Sequence, residues 1–337
     1  MSGYNYFMST ITMKAWAKIN LTLDVLNKRP DGYHNLVSVM QSICLYDTLL
    51  IRKTSTAVSS GNLEIEIKTD CYGLPTDESN LIYKAAKSIL TAYDLRCGIS
   101  VELQKNIPVA AGLAGGSSNC AATLLGLNTL LELNIPQERL FEMGRNLGAD
   151  VPFCLMSNIE PSGSGTALAE GIGEKLTPLP SHPDIWIVLA HLPIPVSTKE
   201  IFSRRSHTVQ QNRNAQTNRN IQQPKTFRLH LPSAKKQQTK KKSPEMVKAF
   251  ASGNINKIAD NLSNDLTALA TDMHPEIFDL ITAFNTQNPL GVNMSGSGPT
   301  VFAYFLTEFD ALKAQEHIRQ QFISCDVFCT KPKTCLY

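Results

Sequence analysis

Residues 108–128, PVAAGLAGGSSNCAATLLGLN, run a turn-rich loop straight into an apolar helical pattern. Pro108, Ala110, Ala111, Gly112, Leu113, Ala114, Gly115 and Gly116 make up the loop, and Ser117 and Ser118 stand where the helix begins. Gly112, Gly115 and Gly116 permit backbone angles that turn amide N–H groups into a concave nest, and the serines add hydroxyl donors. The helix N-terminus contributes roughly half a positive charge. That chemistry orients a phosphate but does not neutralise a triphosphate, because no Lys, Arg, Asp or Glu lies between Lys105 and Glu132. A Walker loop carries its lysine inside the motif, and the spacing here fits neither that motif nor G-x-G-x-x-G. Taken alone, the stretch also reads as a glycine-rich turn with packing value only.

Three further stretches hold reactive side chains. Lys18 sits in WAKINLTLDV among alternating Ile19, Leu21, Leu23 and Val25, a strand pattern in which a lysine by itself is an ordinary solvated residue. Asp150, in LGADVPF, follows a helical pattern closed by Gly148 and by itself reads as a turn residue. RPDGYH is a Pro-Asp-Gly turn followed by Tyr33 and His34, and MSGSGPT (294–300) is a second glycine turn in which Ser297 and Thr300 can close a hairpin.

The elements that must position these residues mix strands and helices. Alternation predicts strands at 62–69 and 98–104, and a packing helix from Leu81 to Tyr93 with Ser79 or Asn80 as N-cap. A helix follows the glycine loop, another covers PQERLFEMGRNLGAD, an apolar strand spans 184–193, and a short helix lies near 197–202. Helices are expected at 245–253, 255–262, 275–285 and 308–322, with strands at 299–306 and 325–330. With 337 residues, 42% of them hydrophobic, the chain has material for two α+β lobes.

The net charge of +3 hides an asymmetry. Residues 201–244 hold 11 of the 32 Lys and Arg and none of the 29 Asp and Glu, so the remainder is acidic. The polar stretch 206–243, poor in aromatics, reads as a flexible basic insertion. With Phe227 as its one stacking residue and no recognisable RNA-binding module, nucleic acid is not the expected partner. The eight cysteines are irregularly spaced and read as buried reduced thiols; a zinc site on Cys325 and Cys329 is disfavoured by their place in a strand pattern. No apolar run exceeds six residues, far short of the roughly 20 that span a bilayer, so no membrane association is expected.

WAKINL, DGYH, the glycine loop, LGADVPF and MSGSGPTVFA together resemble, in this order, the motifs of the GHMP kinase superfamily. The pair DGYH and GADVPF is most similar to the branch that phosphorylates 4-diphosphocytidyl-2-C-methyl-D-erythritol, a cytidine diphosphate derivative of methylerythritol made in non-mevalonate isoprenoid biosynthesis. The resemblance covers roughly 14–203 and 244–330. It implies a two-lobed α+β fold, with an N-terminal lobe (1–180) like ribosomal protein S5 and a ferredoxin-like C-terminal lobe (181–337) containing the insertion. It implies transfer of the γ-phosphoryl group of ATP, with Mg2+, to a hydroxyl of that small molecule. Asp150 would be the general base, Lys18 its charged partner, residues 108–118 the ATP cradle, and Asn20, Tyr33, His34 and Phe202 the cytidine site. No acidic magnesium ligand stands out near the loop; Ser118 is the hydroxyl at hand. A monomer or homodimer in a bacterial cytoplasm or a plastid is the expected setting. The family has glycine where this chain has Ala114, at a cost of order 1 kcal/mol if that position needs positive φ. Two rival readings stay open at the level of sequence: a sibling kinase acting on mevalonate, a sugar or homoserine, and a nonenzymatic binding protein that works through its basic tract.

Overall fold

In the computed structural model, residues 10–54, 64–159, 164–205 and 241–334 are described. Residues 206–240 of the expected basic insertion, Cys335 and the first two residues of the strand expected at 62–69 lie outside them.

Strands β1 (Thr10–Asn20), β2 (Thr22–Lys28), β3 (His34–Thr54), β4 (Ile65–Thr69) and β5 (Gly98–Gln104) build most of the first sheet. Helix α1 (Leu81–Ala92) intervenes before β5, and its N-cap is Asn80, whose side chain accepts the Ile82 N–H at 2.8 Å. Helices α2 (Gly115–Leu130), α3 (Gln137–Leu147) and α4 (Val151–Ile159) follow, then β6 (Thr166–Gly171) and β7 (Lys175–Pro178). The second sheet starts with β8 (Trp186–His191). Then come a helical run α5 at 198–205, α6 (Ser243–Ser252), α7 (Ile255–Asp260), β9 (Ser263–Asn264), α8 (Thr267–Met273) and α9 (Pro275–Asn285). The chain finishes with β10 (Gly291–Met294), β11 (Thr300–Phe305), α10 (Glu308–Gln321) and β12 (Asp326–Thr330).

The 21-residue β3 organises the first sheet, pairing antiparallel with β1, β2, β5 and β6. β8, β10, β11 and β12 form a separate four-stranded antiparallel sheet in the order β10-β11-β8-β12. The two sheets share a core in which Ala17 and Ile19 of β1 and the adjoining Leu21 meet Ile187 and Leu189 of β8 and Phe302 and Tyr304 of β11. β9 crosses back to pair in parallel with β2, placing Asn264 opposite Leu23. Strand β1 is therefore covered on both faces near its end, and Lys18 is only 4% exposed, which excludes the solvated-strand reading.

The uncharged stretch that follows the loop has a packing cause. α2 is buried from Ser118 to Leu124 without a break, its residues packed against α1, β1 and α4. A helix with apolar or small residues all round belongs in a core, where a charge would need a partner. The cysteine reading needs correction: Cys120 and Cys154 are buried, but Cys44 is exposed and Cys71, Cys97, Cys325 and Cys329 are half-buried. Among the described residues no helix is long and apolar enough to cross a membrane.

Candidate active site

The glycine loop is fixed at its start by a buried carboxylate. Asp47, on β3 and fully buried, accepts the backbone N–H groups of Asn106 and Ile107, each at 2.8 Å, and pairs with the Lys105 ammonium. Ala110 (φ 55°), Gly112 (φ 74°) and Ala114 (φ 56°) then lie in the left-handed region. Two alanines thus stand where glycine is relaxed, and Ala114 is the residue immediately before α2. Lys105 sits behind this turn, its Nζ 3.1 Å from where a Cβ on Gly115 would lie.

Gly112 is where three motifs interlock. Its carbonyl accepts hydrogen bonds from Ser295 Oγ at 2.9 Å and from Lys18 Nζ at 3.3 Å. A Cβ on Gly112 would fall 2.3 Å from the Ser295 carbonyl oxygen, so the glycine loop and the 294–300 turn touch backbone to backbone. That turn joins β10 to β11 and is pinned by Asn264, whose side-chain amide donates to the carbonyls of Met294 at 2.8 Å and Gly296 at 2.7 Å.

β1 and β3 change register between Trp16 and Lys18, and the Lys18 N–H bonds the Leu113 carbonyl of the loop at 3.1 Å. Such irregularities re-aim a side chain at a functional edge. Lys18 Nζ lies 3.5 Å from Asp150 Oδ2 and donates to Asn20 Oδ1 at 2.7 Å. Asp150 immediately precedes α4, whose Cys154 N–H donates to the Asp150 carbonyl at 3.1 Å, so its carboxylate stands at the positive end of a helix. Burial raises the Cys154 thiol, and the neighbouring Asp150 charge adds to the effect, so Cys154 stays a neutral packing group beneath the site.

A cleft of about 830 Å³ gathers these residues. Its walls include Lys18, Asn20, Gly112, Ala114, Ser117 and Asp150 together with Tyr33, His34 and Phe202. Tyr33 is 61% exposed, whereas His34 is buried with its ring 5.4 Å from that of Phe202. Burial lowers the His34 basicity, and the positive charges of Lys28 and Arg205 lower it further, which favours the neutral imidazole.

One expectation changes and one gains a partner. Ser118, expected to face the phosphate and the metal, is fully buried and spends its hydroxyl on the Trp16 carbonyl at 2.7 Å. Asn20, largely buried in the cleft wall, takes the Lys18 ammonium on its Oδ1, and its Nδ2 donates to Ser38 Oγ at 2.8 Å. Its amide thereby orients Lys18. Lys28 and Lys199, which also line the cleft, and Asn264 and Lys105 were not singled out from sequence. Only Lys28 and Lys199 carry a local signal, as lysines close to RPDGYH and Phe202; the other two act through partners distant in the chain.

Among the described residues no three His, Cys, Asp or Glu side chains converge as a metal site. Asp150 and Asp31 are the acidic residues lining the cleft. This donor set suits a cation that arrives with phosphate oxygens of its own, since magnesium commonly takes one or two carboxylates and completes its shell from a nucleotide and water.

The family profile for the GHMP kinases N terminal domain matches residues 80–158, and that for GHMP kinases C terminal matches 246–324. The chain is 39% identical over 307 residues to the 4-diphosphocytidyl-2-C-methyl-D-erythritol kinase of Caldicellulosiruptor saccharolyticus, covering 91% of this chain and 92% of that protein. It is 38% identical to the Clostridium botulinum protein of the same name over 321 residues, 95% and 99% of the two chains. A crystal structure of 4-(cytidine 5'-diphospho)-2C-methyl-D-erythritol kinase superposes with a TM-score of 0.68 at 28% identity, covering 96% of this chain and 99% of the other. A homoserine kinase from Cytophaga hutchinsonii reaches the same TM-score at 19% identity, a likeness of fold alone.

Proposed function

The chain belongs to the GHMP kinase family, and from that membership we propose that it transfers the γ-phosphoryl group of ATP to the 2-hydroxyl of 4-diphosphocytidyl-2-C-methyl-D-erythritol. The observation that carries the reading is the pairing of Lys18 Nζ with Asp150 Oδ2 at 3.5 Å in one cleft with the glycine loop and with Tyr33, His34 and Phe202. Kinase relatives at 38–39% identity over nine-tenths of the chain support the choice of substrate.

In this reading Asp150 accepts the proton of the attacking hydroxyl as its oxygen bonds to the γ-phosphorus and the bond to the departing ADP oxygen breaks. The Lys18 ammonium, held by Asn20 and the Gly112 carbonyl, faces the charge on the transferring group. A positioned base contributes roughly 10²–10⁴-fold, and alignment with electrostatic stabilisation supplies most of the rest in phosphoryl transfer. The glycine loop orients the nucleotide phosphates through backbone N–H groups, while Lys18, Lys28 and Lys199 bring three ammonium groups to a cleft that must accept a triphosphate and a diphosphate. Mg2+ arriving with ATP would neutralise phosphate charge, and Asp150, the cleft carboxylate beside the loop and the lysine, is the residue that would contribute to holding it. Tyr33 and Phe202 offer aromatic surface, and the neutral His34 a hydrogen-bonding edge, for the cytosine ring.

The test is ATP-dependent ADP release with the cytidyl compound beside mevalonate, homoserine and galactose. The proposal requires kcat/KM for the cytidyl compound to exceed the others by at least a hundredfold. Preferential turnover of any of the other three overturns the substrate assignment.

A further inference from the structure

One carboxylate outside the reacting centre ties together three pieces of the cleft wall. Asp265 Oδ2 accepts the Val25 N–H at 2.9 Å, the Arg205 guanidinium at 2.8 Å and the Lys241 ammonium at 2.8 Å. Arg205 also donates to the Asp265 carbonyl at 2.8 Å and to the Val25 carbonyl at 3.2 Å, so its planar fork ties β2 to the residue that follows β9. The Asp265 and Arg205 side chains are about one-fifth exposed, enough screened from solvent for the charge-assisted bonds to hold a fixed geometry.

Each partner except Lys241 belongs to an element that lines the cleft. Leu266, next in sequence to Asp265, is a wall residue; β2 supplies Leu23 and Lys28; and α5 supplies Thr198, Lys199 and Phe202. α5 is also held along its length, with Phe202 packed on the core and against the His34 ring. Thr198 Oγ1 shares a hydrogen bond with Ser297 Oγ at 2.7 Å near its start, Ile201 is fully buried in its middle, and Arg205 is its last described residue. The Arg205 clasp fixes the last described turn of α5, and Phe202 stands three residues before it, nearly one helical turn away. Lys241 donates to the same Val25 carbonyl at 3.2 Å, but it leads into α6, none of whose described residues lines the cleft.

We infer that Asp265 is a positioning residue for the acceptor substrate, setting through Arg205 the placement of the Phe202 wall opposite His34. The inference rests on the cytidyl reading proposed above, and it separates two cations that share one carboxylate. Arg205 should govern acceptor binding; Lys241 should not.

The experiment compares the full chain with Asp265→Asn, Arg205→Met, Arg205→Lys and Lys241→Met in steady-state assays with ATP and 4-diphosphocytidyl-2-C-methyl-D-erythritol, with thermal unfolding of each. Asp265→Asn and Arg205→Met are expected to raise KM for the cytidyl compound roughly tenfold, the loss of one charge-assisted contact, with KM for ATP and kcat within about twofold. Arg205→Lys recovers part of the loss, and Lys241→Met leaves the acceptor KM within about twofold. Equal effects of Arg205→Met and Lys241→Met, or a change in both KM values and kcat together, would show only a structural clasp and overturn the inference. Should Asp265→Asn unfold, the Arg205→Met and Lys241→Met contrast decides alone. Failure of the wild-type chain to turn over the cytidyl compound refutes the functional reading instead, and is told apart by the wild-type control.

Discussion

Replacing Gly112 by alanine tests whether the glycine loop and the 294–300 turn work as one interlocked unit. The substitution carries two penalties that the structure separates. A side chain at φ +74° costs roughly 1–2 kcal/mol through the left-handed backbone alone, offset by about 0.4–1 kcal/mol from the reduced entropy of the unfolded chain. The methyl group would also meet the Ser295 carbonyl oxygen at 2.3 Å and that of Gly298 at 3.2 Å, both backbone atoms that cannot swing aside. Forcing such an overpacked contact typically costs a further 1–3 kcal/mol. The net destabilisation is thus about 1–5 kcal/mol. Gly253 is the natural control, because its φ of +61° imposes the same backbone strain with nothing within 4 Å of an added Cβ. Urea unfolding of Gly112→Ala and Gly253→Ala should place the first at least 1–2 kcal/mol below the second, a gap that reports the clash alone. Because the Gly112 carbonyl holds both Lys18 and Ser295, kcat should fall at least tenfold in the folded fraction of Gly112→Ala while Gly253→Ala keeps wild-type turnover. Equal stabilities, or full activity in Gly112→Ala, would refute the interlock.

Other consequences are as direct. Ala114→Gly relieves left-handed strain at φ 56° and should stabilise the protein by up to about 1 kcal/mol and lower KM for ATP; a loss of stability in urea unfolding would show that the alanine packs usefully. His182 is buried, its basicity pushed down to about 4, and its Nε2 meets the Tyr304 hydroxyl at 3.0 Å. Since the unfolded chain titrates near 6.5, stability should be intact above that pH and fall by roughly 3 kcal/mol as pH drops from 6.5 to 4, with His182→Gln showing a shallower decline in equilibrium unfolding. Arg205 and Lys241 meet on one carboxylate, so replacing 206–240 by a short Gly-Ser connector should leave kcat within about twofold; abolished turnover in a folded deletion would assign that segment a part in the reaction.

What the sequence made legible, and what it hid, follows from how each residue is held. Periodicity found α1, α3, α6, α9 and α10 within a residue or two, because each presents one apolar stripe to a core. It missed α4, whose VPFCLMSNI is apolar all round with a proline in the first turn, a pattern without a period. It missed the length of β3, which changes neighbours along its 21 residues and shifts register against β1 opposite Trp16 and Lys18. The motifs marked Lys18 and Asp150, but that they meet depends on a loop carbonyl and a buried asparagine no local pattern announces. The missing positive charge of the glycine loop comes from lysines far away in the chain: Lys18, 94 residues before Gly112, with Lys28 and Lys199 on the cleft wall, whereas the nearby Lys105 is spent on the buried Asp47. Asn264 had no signal at all, since its work is done on carbonyls 30 and 32 residues further along.

The most direct measurement follows the phosphoryl group itself. ATP labelled at the γ-phosphorus is incubated with the cytidyl compound and wild-type protein, Asp150→Asn or Lys18→Ala, each shown to be folded by its unfolding transition. Label should appear on the acceptor with the wild-type protein, and its rate of appearance should fall by a factor on the order of 10²–10⁴ in Asp150→Asn and by a comparable factor in Lys18→Ala. Near-wild-type transfer by a folded Asp150→Asn or Lys18→Ala protein would contradict the roles assigned to the pair, and absence of label on the acceptor with wild-type protein would contradict the reaction.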